Sequence, residues 1–416
     1  MIPTLNRWKK SLLILFAVVG PGLITAFADN DAGGVATYSV AAANFGYRMI
    51  TTLIPITAVL LITQEIGARI AIVTHKGLGD LIREYFGVRV SVLVFAVLFS
   101  VNFGVILQDM GGLKSALQLF NLDYRIFLPL LLIVLFLFIT RATYTKIEKF
   151  FLFLIIFYIA YLVSAVLAKP DWKLAFSSLI IPHGGFSINY LYTAVAVLGT
   201  TVTAWGQFFI NSYIKDKKID PSKLKYGQWE IYVGAFLTNI VSFFMMVAVA
   251  ATIHKNGLKI EDAAQAALAI KPFAGELAGI LFGVGLLVAG FLGCAIVPLA
   301  TAYAFSEFFG YEGSLDNTSF KKSILFYSFF VLQITLGLIF VLLPQISLFK
   351  ITIYADFLNG VSLPIIFFFL YKLANNVSLM GKYKNSRFQN LLLIGSGAVI
   401  SVAALAGGLG QVFHFG

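Results

Sequence analysis

Gly20-Pro21-Gly22-Leu23-Ile24-Thr25-Ala26-Phe27-Ala28-Asp29-Asn30-Asp31-Ala32-Gly33-Gly34-Val35-Ala36-Thr37-Tyr38 is the stretch that decides how this chain folds. It lies within a run over residues 11–43 that is apolar on both sides of a polar middle. A helix needs about 20 mostly apolar residues to cross the hydrocarbon core, so the run is long enough to span a membrane. Two acids halfway through such a run are expensive in lipid and point to function. Gly33 and Gly34 are expected to let the chain unwind there, which frees backbone carbonyls near the midplane. An intramembrane Asp31 with no Lys or Arg close in sequence calls for a cation.

The rest of the chain supplies the membrane. Of 416 residues, 59% are hydrophobic and 12% are charged, against roughly 25% charged in soluble domains. These figures exclude a water-soluble globule, a disordered chain and a coiled coil. Cys294 is the only cysteine, which excludes a disulfide scaffold and a thiolate cluster within the chain. Further apolar runs occupy 50–73, 90–119, 125–141, 148–168, 190–213, 227–253, 274–306, 323–343, 349–373 and 389–411. With the first run they predict eleven transmembrane helices. The runs are continuous, whereas barrel strands would be short and alternating. The first run lacks a small-residue cleavage site, so it reads as a retained helix and not a signal peptide. The longest loops, 169–189 and 254–273, are too short for a soluble domain.

Basic residues orient the chain. With a cytoplasmic N-terminus, Arg7, Lys9, Lys10, Lys76, Arg83, Lys215, Lys217, Lys321, Lys322 and Lys384 all fall inside, among twenty such bases. Eight fall outside, including Arg48, Arg125, Lys255 and Lys350. That asymmetry obeys the positive-inside rule and predicts a plasma (inner) membrane protein whose C-terminus, Gln411-Val412-Phe413-His414, lies outside. The net charge of +11 therefore orients loops and does not imply a nucleic-acid partner.

A second interruption occupies the sixth run, Val197-Leu198-Gly199-Thr200-Thr201-Val202-Thr203-Ala204-Trp205-Gly206-Gln207-Phe208. Breaks in helices one and six match inverted-repeat transporters, whose sites form where two broken helices face each other. In the tenth run, Asp356 and Asn359 are three apart and share a helical face. Asp356 reads as a functional acid, or as the partner of a backbone donor or of Lys350. In the third run Asp109 and Lys114 form either a structural ion pair or part of a permeation path. Glu65 and Arg69 have the i,i+4 spacing of a structural pair. His75, His183, His254 and His414 lie in loops, at span ends or at the tail, so no histidine is placed to shuttle protons at a break. Metalloprotease, nucleophile-elbow and nucleotide-loop motifs are absent, which leaves no case for an enzyme or an ATP-driven pump.

These residues resemble the NRAMP divalent-metal transporters. Gly20-Pro21-Gly22, Asp31-Ala32-Gly33-Gly34, Ala36-Thr37 and Phe45-Gly46-Tyr47 look like that family's first helix. Its Asp-Pro-Gly-Asn break keeps Asp31 and Gly33, while Ala32 replaces Pro and Gly34 replaces the Asn ligand. Its sixth-helix Ala-Thr-Val-Met-Pro-His falls on Thr200-Thr201-Val202-Thr203-Ala204-Trp205, so Thr203 stands for the soft Met and Trp205 for His. These departures resemble the NRAMP-related magnesium transporters. So do Thr201 to Phe209, Lys76-Gly77-Leu78-Gly79-Asp80, Leu358-Asn359-Gly360-Val361, and Ala302-Tyr303-Ala304 with Glu307. Asp356 falls where the family has a polar Gln.

The resemblance implies an all-α, LeuT-like fold of two inverted repeats: 1–168 with helices one to five, 169–373 with helices six to ten, and 374–416 with an appended eleventh. It implies a metal site of Asp31, Gly34, Thr200, Thr203 and Asp356, lined by Trp205, Gln207 and Asn359, with Asp109 on a permeation or proton path. Exchanging sulfur for oxygen donors favours hard ions, and Mg²⁺ keeps several waters and binds through one or two carboxylates. Shrinking Asn to Gly34 is expected to enlarge the cavity for a partly hydrated ion. The expected function is secondary import of Mg²⁺, with Mn²⁺ also carried, by alternating access and without obligatory proton coupling. The alternatives are a proton-coupled Mn²⁺ importer and a cation-coupled amino-acid symporter of the same fold. The partners are the transported ion and the bilayer. No cofactor is expected, and a monomer suffices.

Overall fold

The computed structural model describes residues 20–182, 184–185, 187–260, 263–315, 323–343 and 348–413. Residues 11–19 of the first run, Arg7, Lys9, Lys10, Lys321, Lys322, His183, His414 and the side chain of Lys350 lie outside this description. Among the described residues all regular structure is helical. Ten helical stretches are long and apolar enough to cross a membrane. The first of them, Ala32–Thr74, turns through a 3-10 segment at Gly46–Thr52 and so contains the second arm of span one and all of span two, Leu53–Thr74. Counting those separately gives the eleven expected spans.

Span one runs as Pro21–Ala28 and Ala32–Phe45, and span six as Ile188–Thr201 and Ala204–Lys217. Spans three, four and five are Val88–Leu119, Tyr124–Arg141 and Tyr144–Leu167. Seven to eleven are Leu224–Thr252, Glu276–Phe309, Ile324–Leu342, Leu348–Ala374 and Arg387–Phe413. Each lies within a few residues of its apolar run, because a bilayer allows no unsatisfied backbone between caps. The two long loops are not wholly irregular: they carry short helices at Trp172–Ser177 and Ala263–Ala274.

Burial separates the centre from the rim. In the sixth span 83% of the apolar window is buried, against 22% in the fourth and 17% in the eleventh. The broken spans therefore sit at the heart of the bundle, while the outer spans present Ile133, Ile156 and Leu391 to lipid. The arms of spans one and six pack crosswise: Pro21–Ala28 lies on Ala204–Lys217 and Ala32–Phe45 on Ile188–Thr201. Several loops expected on a common side meet in the structure. Lys215 meets Asp80 at 2.9 Å and Lys217 meets Glu148 at 2.7 Å, joining segments expected on one side. At the other end His254 Nδ1 lies 2.8 Å from the Ala43 carbonyl, and Arg48 sits over the Tyr190 ring.

Two intramembrane bases resolve differently. Arg69 pairs with Glu65 at 2.8 Å, as the spacing predicts, and also holds Asn385 and the Tyr383 carbonyl before span eleven. Lys114 does not pair with Asp109. It donates to the Val341 carbonyl at 3.2 Å and lies over the Tyr124 ring, because a longer reach takes its charge toward the bundle end.

Spans six and ten touch backbone to backbone at Gly199. A Cβ there would stand 2.0 Å from the Asp356 carbonyl oxygen and 2.6 Å from the Gly360 nitrogen. Small residues permit such approach between membrane helices. Gly199→Val is expected to force the spans apart and cost about 1–3 kcal/mol, as overpacking does. Gly395→Val, which meets nothing within 4 Å, is the control. A thermal midpoint in detergent that drops for the first variant only is the expected outcome, and equal midpoints would contradict the contact.

Candidate cation site

The break in span one is the turn Asp29-Asn30-Asp31. Asp31 adopts an extended backbone (φ −64°, ψ −176°), and its Oδ1 accepts the Gly34 N–H at 2.8 Å, so it N-caps the second arm. Gly33 and Gly34 are not the unwound residues expected from sequence: they lie in the first turn of that arm. Their value is close approach. A Cβ on Gly34 would stand 2.9 Å from the Asp29 carbonyl oxygen and 3.3 Å from Thr200 Oγ1. The expected enlargement of the cavity at Gly34 is therefore not what the structure has, because that carbonyl and hydroxyl occupy the space. The turn is braced from span seven. Asn30 Nδ2 donates to the Thr238 carbonyl at 2.9 Å and to Thr238 Oγ1 at 2.6 Å, while its Oδ1 accepts from Ser242 at 2.8 Å.

Span six stops at Thr201 and resumes at Ala204. Thr203 N-caps the new arm: its Oγ1 accepts the Gly206 N–H at 3.0 Å and donates to Asp29 Oδ1 at 2.8 Å. From span ten, Asn359 Oδ1 accepts the Ala204 N–H at 2.8 Å. Farther along, the Tyr38 and Thr201 hydroxyls share a 2.6 Å bond. The two breaks thus stand side by side at one depth.

Two further spans close on them. Asp356 Oδ2 accepts from Thr37 Oγ1 at 2.5 Å, and the side chains of Gln108 and Thr200 also hydrogen-bond to that carboxyl. Asp109 on span three accepts the Ala32 N–H at 3.0 Å, and its Oδ2 has no partner among the described residues. Asp29, Asp31, Asp109 and Asp356 are all at most 2% exposed. Among the described residues none of the four makes an ion pair. No three His, Cys, Asp or Glu residues among those described close on one metal-sized point. An ion held here would draw on hydroxyls, carbonyls and water beside its carboxylates.

The expected residues fall into two neighbourhoods. Asp31, Gly34, Thr200 and Asp356 gather on one side, bridged by Thr37 and Gln108. Thr203 turns to Asp29, which Gln64 Nε2 also meets at 3.1 Å. Gln207 follows Thr203 by one turn and is fully buried, as is Trp205, which packs on Phe209. Asn359 serves as a cap. Asp109 sits under the start of the second arm of span one. Asp29, Thr37 and Gln64 join the site without belonging to the ligand set expected from sequence, which has Asp29 in the break only. The signal for Asp29 was present, in two acids sharing a three-residue turn. Thr37 carried none, because one Thr on an apolar helix is ordinary.

The electrostatics follow from helix ends. Each broken span points four orphan carbonyls of one arm and four orphan N–H groups of the next toward the break. Here Asp31 and Asp109 take N–H groups of span one, and Thr203 and Asn359 take those of span six. Two N–H groups at the start of each second arm are thus taken by protein oxygens, and carboxylates and helix-end carbonyls face the break beside them.

A family description, natural resistance-associated macrophage protein-like (Nramp), matches residues 22–409. The divalent metal cation transporter MntH of Ralstonia nicotianae is 25% identical over 426 residues, covering 97% of this chain and 92% of that one. The crystal structure of the Eremococcus coleocola manganese transporter, in complex with an aromatic bis-isothiourea substituted compound, superposes with a TM-score of 0.76 at 18% identity, covering 94% of this chain and 86% of that one. MhsT in complex with L-phenylalanine shares the fold at a TM-score of 0.57 and 16% identity, covering 93% of this chain and 97% of that one. The fold is LeuT-like. With the family pattern matched from the first helix break into the eleventh span, the chain belongs to the Nramp family.

Proposed function

We propose that this protein carries divalent metal cations across the membrane, with Mg²⁺ as its preferred ion. The observation that carries the reading is the polarity of the breaks. Both interior helix N-termini are filled by protein oxygens, whereas the buried acids have no cationic partner among the described residues. A site whose helix starts are capped by protein oxygens and whose carboxylates are uncompensated attracts a cation and repels a substrate carboxylate, which argues against an amino-acid symporter. The relatives named MntH and the manganese transporter support divalent transport in general.

Preference for Mg²⁺ rests on the donors. Asp31, Thr200 and Asp356 offer oxygen only, and oxygen suits a hard ion that keeps its waters. This reading also assigns the chain to the magnesium-transporting branch of the family, with two repeats at 1–168 and 169–373, a cytoplasmic N-terminus and alternating access about the breaks. Absence of histidine at either break supports uptake without obligatory proton flow. A second reading, proton-coupled Mn²⁺ import, draws on Cys294, the single thiol, buried on span eight. Its neighbour Gly293 lies against Asp109, whose carboxylate is 2.2 Å from where a Cβ would stand.

Uptake of a metal panel into proteoliposomes, with internal pH recorded in parallel, separates the two. Saturable Mg²⁺ uptake without acidification is expected. Selective Mn²⁺ flux, with a falling internal pH and no Mg²⁺ flux, would establish the second reading instead.

A further inference from the structure

We infer that Asp29 heads a second cation station, separate from Asp31 and Asp356, that receives the ion as it leaves the break along the second arm of span six. The inference rests on the cation reading of the neighbouring site.

Asp29 lies 1% exposed, and its hydrogen-bond donors among the described residues are neutral: Thr203 Oγ1 on Oδ1 and Gln64 Nε2 on Oδ2. Neither bond neutralises the carboxylate. On spans two and six beside it stand acceptors that meet no donor among the described residues. Gln64 is fully buried and its Oε1 is unpartnered, and Gln207 is fully buried with neither Oε1 nor Nε2 engaged. A buried amide with both ends unmet is costly, of order several kcal/mol, unless something fills the space beside it.

The geometry brings these groups together. Thr203 and Gln207 are four apart on one helix, and Gln64 and Gly67 three apart on another, so each pair shares a face. Those faces meet. Thr203 and Gln64 both bond Asp29, and Gln207 Oε1 lies 4.0 Å from where a Cβ would stand on Gly67. Gly206 brings the start of the arm against the same acid, with Asp29 Oδ1 3.2 Å from its Cβ position. The seam therefore offers the Asp29 carboxylate and the Gln64 amide oxygen, with the Gln207 amide oxygen one turn farther along beside Gly67. One carboxylate with neutral oxygens is the donor set of a hard, partly hydrated divalent ion.

The polar line continues in one direction. Asn211 follows Gln207 by four residues, is fully buried, donates to the Gly67 carbonyl at 3.0 Å and leaves Oδ1 unpartnered. It lies toward the end of the molecule that carries Asp80, Lys215 and Glu307. Oxygen acceptors are thus spaced turn by turn down the arm from Asp29. An ion released from Asp31 by motion of the first span meets Asp29 next, two residues back along the same turn.

Equilibrium dialysis of MgCl₂ or MnCl₂ against the purified full chain, alongside proteoliposome flux, tests the station. Wild type is expected to bind two ions. Asp29→Asn and Gln207→Leu should each bind one and slow flux about tenfold, the loss of roughly one buried interaction. Asp31→Asn should also retain one ion, held at Asp29. Asn at 29 still accepts from Thr203, and thermal midpoints confirm that the variants fold. One ion in wild type that survives Asp29→Asn with normal flux overturns the second station alone. Loss of all binding on Asp31→Asn does the same. No binding or flux in any form overturns the cation reading with it.

Discussion

Replacing Asp31 by Asn should reduce metal uptake about 100-fold or more while the protein still folds. The fold survives because Asn caps a helix as well as Asp. Its side-chain oxygen can still accept the Gly34 N–H that Asp31 Oδ1 holds at 2.8 Å. What is lost is charge. Two unit charges 4 Å apart interact by about 4 kcal/mol at an effective dielectric of 20, and a divalent ion doubles the attraction. Desolvation takes back much of this, yet a net loss of only about 3 kcal/mol is a 100-fold change in binding. The remaining acid of that neighbourhood, Asp356, which accepts from Thr37 at 2.5 Å, contributes its own charge in both forms and so does not replace the one removed. Flux in proteoliposomes and the thermal midpoint are measured on one preparation. Normal transport by the variant would show that Asp31 is a cap and nothing more, and the cation reading would fall. Equal loss of folding would show that the charge serves structure.

The spans and both breaks were legible from residue types alone, for a physical reason. A bilayer punishes every unsatisfied backbone group, so apolar runs translate into helices almost without exception. Acids inside those runs, Asp31, Asp109 and Asp356, stood out on the same ground. What sequence could not supply was partnership. Lys114 is five residues from Asp109, and spacing allowed a pair, but side-chain reach sends it to the Val341 carbonyl. Gly33 and Gly34 suggested unwinding, yet the turn falls at Asp29-Asn30-Asp31, since an acid that can cap fixes where a helix restarts. The family pattern makes Thr203 a ligand beside Asp31, whereas its hydroxyl is spent on Asp29 and on the Gly206 N–H. Each difference concerns which neighbour a polar atom chooses. That choice is made by spans distant in sequence, and it decides what is left to meet an ion.

Glu230→Ala is expected to loosen the first arm of span one by about 3 kcal/mol, although the residue touches neither break. Pro21 has no N–H, and Gly20 has no side chain with which to cap the helix it starts. The cap comes instead from span seven. Glu230 Oε1 accepts the N–H of Gly20 at 2.9 Å and of Leu23 at 2.7 Å, and Oε2 accepts that of Gly22 at 3.1 Å. Close approach explains the second glycine, since a Cβ on Gly22 would stand 2.8 Å from Glu230 Oε2. Bonds to a charged acceptor contribute about 1.5–3 kcal/mol each and do not add, and truncation leaves three donors unmet. Packing of Ile24 and Phe27 still holds the arm, so the expected result is local release and not global unfolding. In a Cys294→Ser background, thiol labelling of Thr25→Cys, at a position now fully buried, should quicken roughly 100-fold, the factor that matches about 3 kcal/mol. Glu230→Gln keeps one accepting oxygen and should fall between. If the Ala variant labels no faster, apolar packing alone secures the arm. If labelling quickens and metal flux changes with it, the start of span one is a moving part whose latch is a carboxylate one helix away.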